Sequence, residues 1–159
     1  MKKEVGFSLI ELVAAMAILA VLAGISGYVY LSGLPQRRVM AASRHLYAGI
    51  HEARSEAVKR CERVSIVFNA PSGNYEIRDA NGTRLGGPYH LPESIEFDGV
   101  TGSSGSGAAR FTFNSRGMKT NARSGRVKVK YCKSGSTDMQ IRVTSTGAIA
   151  IENPGQKSG

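Results

Sequence analysis

The sequence predicts an α+β protein, in which a long N-terminal membrane-spanning α-helix packs on a mostly antiparallel β head. Three observations predict it. From Leu12 to Leu34 there are 23 positions without a charged residue, and about 20 apolar residues cross a bilayer as one helix. From Gln36 to Arg60 apolar residues recur at spacings of three and four, the helical period. After Arg60 the period changes to two, the signature of strands.

The first element opens with a short polar leader, Met1-Lys2-Lys3-Glu4-Val5, then Gly6-Phe7-Ser8-Leu9-Ile10-Glu11-Leu12. Glu11 is a lone carboxylate inside an apolar block. An acidic side chain there costs about 2.5–3.5 kcal/mol on insertion scales, so a specific role is expected for it. A cleaved secretory signal has a shorter apolar region, roughly 7–15 residues, and a plain anchor gives no reason for Glu11. Lys2 and Lys3 place the N-terminus in the cytoplasm by the positive-inside rule, with the head on the far, periplasmic side. Gly24, Ser26 and Gly27 in the apolar run allow close helix packing in membranes. Pro35 marks either a kink or a break.

The second element is amphipathic. Val39, Ala42, Leu46, Ile50, Ala53 and Ala57 form one stripe, while Arg37, Arg38, Arg44, Glu52, Glu56 and Lys59 mostly fall elsewhere. A helix from Phe7 to Arg60 would be about 80 Å long at ~1.5 Å per residue. Its second half would lay the apolar stripe on the head.

The head follows as strands. Val64–Phe68 and Tyr75–Arg78 are joined through Pro71-Ser72-Gly73-Asn74, a hairpin signal. Asn81-Gly82 is a second turn signal, and Pro88–Pro92 reads as irregular. Ser94–Asp98 and Arg110–Phe113 are further strands. Gly99–Ala109 between them is a low-complexity loop, either a functional surface loop or a tolerated insertion. Arg126–Cys132 and Met139–Thr144 form a hairpin around Ser134–Thr137, and Ala148–Ile151 is a final short strand.

The chain has 159 residues and a formal charge of +9. Lys2, Lys3, Glu4 and Glu11 cancel, so the excess belongs to residues 35–159. Such a balance suits anionic partners, and equally plain solubility. Between Gly99 and Thr137 there are eight basic residues and no acidic one. Arg126-Val127-Lys128-Val129-Lys130-Tyr131 alternates strictly, so on a strand its three cations share one face. A hairpin symmetric about Gly135 puts Lys128 opposite Arg142, and like charges directly opposite are destabilising. Arg126, Lys128, Lys130 and Arg142 are therefore a candidate anion or DNA patch. The face is a solvated surface, a phosphate-binding surface or a contact for an acidic protein.

No catalytic constellation is present. His45 and His51 are six apart and do not share a helix face. There is no Cys-x-x-Cys, no Gly-rich phosphate loop and no His-Glu-x-x-His. No enzyme activity, cofactor or metal is implied. Cys61 and Cys132 fall in the exported head, where an oxidising compartment makes them a candidate disulfide.

The N-terminal stretch resembles that of a type IV prepilin or a type II secretion pseudopilin. The basic leader, the Gly, the Phe, and Ser-Leu-Ile-Glu-Leu opening a long apolar helix carry the resemblance. It implies cleavage after Gly6 by a prepilin peptidase and N-methylation of Phe7. It also implies pairing of Glu11 with the N-terminal ammonium of a neighbouring subunit. Burying the two charges together offsets part of the cost of burying either alone. Ala53-Arg54-Ser55-Glu56-Ala57-Val58-Lys59-Arg60 narrows the resemblance to the GspH/FimT group of minor pseudopilins and minor pilins (type II secretion system protein H-like). Phe113 followed by Gly117 is similar to the head domain of that group. Some members used in DNA uptake carry Gly-Arg-x-Arg near the C-terminus, where Gly147-Ala148-Ile149-Ala150 stands here, without either arginine.

The expected organisation is a prepilin leader (1–6), a transmembrane and filament-core helix (7–34), an amphipathic continuation (35–60) and a periplasmic β head (61–159). The expected function is that of a structural minor pseudopilin, anchored in the inner membrane and assembled with other pseudopilins or pilins into a short filament that helps export proteins. The alternative is a FimT-like minor type IV pilin that primes pilus assembly or binds DNA for uptake.

Overall fold

The computed structural model describes residues 8–70, 72–103, 109–120, 123–132 and 138–153, without the side chains of 26–32. The helix α1 (Leu9–Arg60) is followed by β1 (Val64–Asn69), β2 (Asn74–Arg78), β3 (Arg84–His90), β4 (Ile95–Thr101), β5 (Arg110–Phe113), β6 (Gly125–Tyr131), β7 (Asp138–Val143) and β8 (Ile149–Glu152). The chain divides into two compact units, Met1–Leu34 and Pro35–Gly159. Pro35 lies inside α1, so the helix is not broken there.

In the first unit the carbonyl of Ser8 accepts from the amides of Glu11 and Leu12 (3.0 and 3.2 Å) and starts the helix. The large apolar side chains from Leu9 to Ile25 are exposed. Among the described residues no helix is long and apolar enough to cross a membrane. The expected 23-position run includes residues 26–32, whose side chains lie outside the description.

In the second unit the predicted stripe is the buried one. Val39, Ala42, Leu46, Ile50, Ala53 and Ala57 are all buried. Fully burying each larger aliphatic side chain contributes on the order of 1.5–3 kcal/mol. Gly49 lets the helix approach β2, because a Cβ there would meet the Tyr75 ring at 2.6 Å. The Tyr75 hydroxyl bonds His45 Nδ1 at 2.9 Å. α1 ends in a Schellman motif, in which the amide of Glu62 bonds the Ala57 carbonyl and that of Cys61 bonds the Val58 carbonyl. Cys61 takes the left-handed position, φ 55°.

Two four-stranded antiparallel sheets follow. The first has the order β3-β2-β1-β5 and the second β4-β6-β7-β8. Their inner faces form one core with the helix stripe. Phe68 joins the sheets, its ring 5.7 Å from Phe97 and 5.2 Å from Phe111. The expected turns form: Gly82 has φ 86°, and Asp79 Oδ1 accepts from the amides of Asn81 and Thr83. Two stretches differ from expectation: Gly99-Val100-Thr101, expected in the loop, continues β4, and β3 runs into the stretch expected to be irregular. Pro88-Tyr89-His90, the first part of the stretch Pro88–Pro92 expected to be irregular, closes β3. β3 is an edge strand, where a proline removes no ladder bond the sheet needs. Irregular pairing between β2 and β3 absorbs the distortion.

Candidate functional site

Gly6 and Phe7 lie outside the described residues. Glu11 stands in the first turn of α1, exposed and without an ion-pair partner among the described residues. The spacing Ser8-x-x-Glu11 is that of a capping box, and a carboxylate near a helix N-terminus is favoured by the helix dipole. Sequence reading overlooked this local reason for a glutamate. The Glu11 side chain stays exposed.

The candidate basic face forms on β6 as expected: Arg126 and Lys128 are exposed and Lys130 half-buried, with Val127 and Val129 turned inward. Its register differs. Arg126, not Lys128, stands opposite Arg142, and Lys128 faces Gln140. The hairpin is not symmetric about Gly135, and the β6–β7 connection lies outside the described residues.

The face is also charge-balanced. Lys130 Nζ lies 2.9 Å from Asp98 on β4, with Glu96 and Asp138 opposite it in register. Arg142 pairs with Glu152 on β8 at 2.7 Å. Lys130, and more weakly Lys128, hold the Asp98 carboxyl below its ordinary range. Asp98, with Glu96 and Asp138, raises Lys130. Four cations thus share their sheet face with four carboxylates, Glu96, Asp98, Asp138 and Glu152. All four carboxylates lie outside the acid-free window read from the sequence.

Lys119 belongs to the same basic run but faces inward. It is buried, its Nζ donates to the carbonyls of Gly102 (2.5 Å) and Arg123 (3.2 Å), and it lies 5.4 Å from the Phe111 ring centroid. Burial lowers its pKa.

The two cysteines do not meet; both are free and exposed. Cys61 closes the C-terminus of α1, whereas Cys132 follows β6 in the second sheet, its amide bonded to the Ser94 carbonyl. A hydrogen bond to Glu96 raises the Cys132 thiol. Among the described residues no group of three or more His, Cys, Asp or Glu could hold a metal ion.

Three short motifs converge on one joint. Arg54 Nε donates to the carbonyl of Gly117 at 3.0 Å. Gly117 (φ 72°) follows β5 of the first sheet, and Gly147 (φ 84°) precedes β8 of the second. A Cβ on Gly147 would collide with the Gly117 carbonyl. The Ala-Arg pair, the Phe-to-Gly spacing and the last turn glycine therefore fasten helix and both sheets at one point. The sequence showed the motifs without showing that they touch.

A second cationic surface was not anticipated. Across the outer face of the first sheet runs a groove, with a cavity of about 680 Å³ near Arg63, Arg78 and Arg110. A smaller one of about 230 Å³ extends it to Arg84 and Pro88. The register sets two rows across the strands: Thr112, Ser65, Arg78 and Arg84 in one, Arg110, Val67 and Glu76 in the other. Glu76 pairs with Arg78 at 2.5 Å and Arg84 at 3.0 Å. Arg63 and Arg110 have no ion-pair partner among the described residues, and the buried Nε of Arg110 has no hydrogen-bond partner. These arginines are scattered in sequence, and only the pairing of β5 with β1 gathers them.

Residues 42–147 match the family model described as type II transport protein GspH. Residues 1–27 match the prokaryotic N-terminal methylation motif. Comparison with curated proteins gives no match. Among solved structures, the chain is similar to the type IV minor pilin FimU of Pseudomonas aeruginosa, with TM-score 0.60 and 17% identity over 74% of this chain and 90% of that one. It is also similar to the minor pseudopilin EpsH of the Vibrio cholerae type II secretion system, with TM-score 0.59 and 12% identity over 79% and 99%. At these identities the likeness is one of fold: a helix on antiparallel sheets.

Proposed function

Because the chain belongs to the GspH family of pilin-like proteins, we propose that it is a minor pseudopilin of a type II secretion system, built into a short periplasmic filament that helps export proteins. The observation that carries this reading is the presence on one chain of the methylation motif over residues 1–27 and the GspH match over 42–147. In this reading a prepilin peptidase cuts after Gly6 and the new N-terminus at Phe7 is methylated. The apolar helix holds the chain in the inner membrane, N-terminus cytoplasmic and head periplasmic, until assembly. Glu11 then pairs with the Phe7 ammonium of a neighbouring subunit. The exposed apolar side chains from Leu9 to Ile25 support a lipid or helix-bundle environment, since apolar surface left in water is costly.

A second reading, a minor type IV pilin that primes pilus assembly, is favoured by the likeness to FimU. A DNA-uptake role receives less support. Its candidate face carries as many carboxylates as cations, and phosphate binding draws its strength from uncompensated Lys and Arg. Deletion of the gene tests the choice: loss of exoprotein secretion with intact pili supports the secretion reading, and loss of pili with intact secretion overturns it. N-terminal sequencing of the membrane-extracted protein should begin at Phe7. A start at Met1 would remove the prepilin reading altogether.

A further inference from the structure

We propose that the groove across the first sheet is a docking site for an extended acidic segment of a partner protein. Its carboxylates would pair with Arg110 on one side and with Arg78 and Arg84 on the other, and an apolar residue would lie on Val67. The inference concerns a protein contact and stands whether the chain serves secretion or a pilus.

The charge pattern selects the occupant. On the far side of the groove one carboxylate, Glu76, is shared by two guanidinium groups. On the near side Arg110 has a buried, unpartnered Nε, and Arg63, just before the start of β1, lines the same cavity without an ion-pair partner among the described residues. A guanidinium fork matches a carboxylate in two parallel hydrogen bonds, and such charge-assisted bonds are the strong ones. Between the two sides the floor is half-buried Val67, with the hydroxyls of Ser65 and Thr112 bonded to each other at 2.9 Å. A half-apolar floor with cations at both ends suits a peptide that alternates acidic and apolar residues.

A nucleic acid fits less well. Single strands are held largely by base stacking on aromatic rings. The one ring along the cavity, Phe68, is 2% exposed and engaged with Phe97 and Phe111.

The register gives the spacing. β5, β1, β2 and β3 lie side by side, so Arg110 and Arg84 are three strand intervals apart, and their rows are two residues apart along the strands, which together make about 16 Å at ~4.8 Å per interval and ~3.3 Å per residue. An extended chain rises about 3.3 Å per residue, so the two carboxylates should be about four to five residues apart.

The test uses the full chain in detergent and a fluorescein-labelled pentapeptide, Glu-Thr-Val-Thr-Glu, followed by fluorescence anisotropy. Saturable binding is expected. Arg110→Gln should weaken it about tenfold, the loss of one charge-assisted bond. Glu76→Gln should strengthen it by freeing Arg78 and Arg84. Arg126→Gln with Lys128→Gln on the second sheet should leave it unchanged. Arg84→Gln, at an exposed site, repeats the test should Arg110→Gln fail to fold. Four results would overturn the proposal: no binding, equal loss in the second-sheet variant, equal binding of a peptide with adjacent glutamates, or displacement by an oligothymidine of the same charge. Self-association lost in Arg110→Gln, without peptide binding, would assign the groove to a second copy and overturn it as well.

Discussion

Among the described residues, the outer faces of the two sheets carry the same number of cationic side chains and use them differently. On the second sheet Arg126, Lys128, Lys130 and Arg142 share the surface with Glu96, Asp98, Asp138 and Glu152, which lie opposite or beside them in register. On the first sheet Arg63, Arg78, Arg84 and Arg110 line a groove with Glu76 and Asp79, and the Asp79 carboxylate already accepts from two backbone amides. The second face is alternating and conspicuous in sequence, yet neutral. The first is dispersed in sequence, yet unbalanced. A run of basic residues reports the charge of a segment, whereas a partner meets the charge of a surface, and strand pairing decides which acids share that surface.

The sharpest way to break the contrast is to separate the faces. Gly147→Ala puts a side chain at φ 84° and against the Gly117 carbonyl, the acceptor of the Arg54 bond. Strain at such a position costs about 1–3 kcal/mol and loss of a hydrogen bond to a charged group about 1.5–3. A destabilisation of roughly 3 kcal/mol is therefore expected, read as a fall of about 10 °C in the thermal midpoint of the detergent-solubilised chain. An unchanged midpoint would mean that the joint does not hold the sheets.

Unmasking the second face is the next largest effect. Glu96→Gln with Asp98→Asn removes two of its four carboxylates and should raise affinity for duplex DNA about tenfold at 50 mM salt, with a steeper fall on adding salt. Anisotropy titrations on unrelated duplexes should rise alike, since phosphates carry no sequence information. If the parent binds as tightly as the variant, the carboxylates do not mask the face.

Lys119 sharpens the comparison because it faces neither surface. Burial lowers its folded pKa below the ordinary 10.5, so between the two values the unfolded chain holds more protons and stability rises with pH. Thermal midpoints of the parent, set against those of Lys119→Met, should show this rise as pH increases from the folded value towards the ordinary 10.5. Parallel profiles would contradict it. The smallest effect is at Asp98. Its carboxyl titrates below the ordinary range because of Lys130 and then Lys128. The stabilisation is therefore present at neutral pH and lost as pH falls through the folded value. Carbon-detected NMR titration should show Asp98 moving up in Lys130→Ala and less in Lys128→Ala.

Much of this was legible in the sequence. The stripe from Val39 to Ala57 appeared as it is buried, because a helix face repeats within a few residues and needs no partner to be recognised. The inward turn of Val127 and Val129 was readable for the same reason. The register of β6 on β7 was not, since it depends on a connection whose shape Ser134–Thr137 does not fix. β3 was missed because Gly86-Gly87 gives no strand signal and Pro88 opens the stretch read as irregular, while an edge position permits a strand there. The groove was hidden because Arg110 comes 32 positions after Arg78 in the chain and reaches the same face only through β1. The thiols looked pairable in sequence, and their separate ends in the fold keep them apart.

Gly49 carries a mechanical consequence. A slide of α1 by one turn, about 5.4 Å, would bring His45 or Ala53 to the place where only a missing Cβ clears the Tyr75 ring. The helix is thus indexed against the sheet like a notched rod in a latch. This steric stop would resist tension along the axis, and the Arg54–Gly117 bond ties the same helix to the head. Pulled lengthwise, this helix is expected to pass force to the head through these contacts.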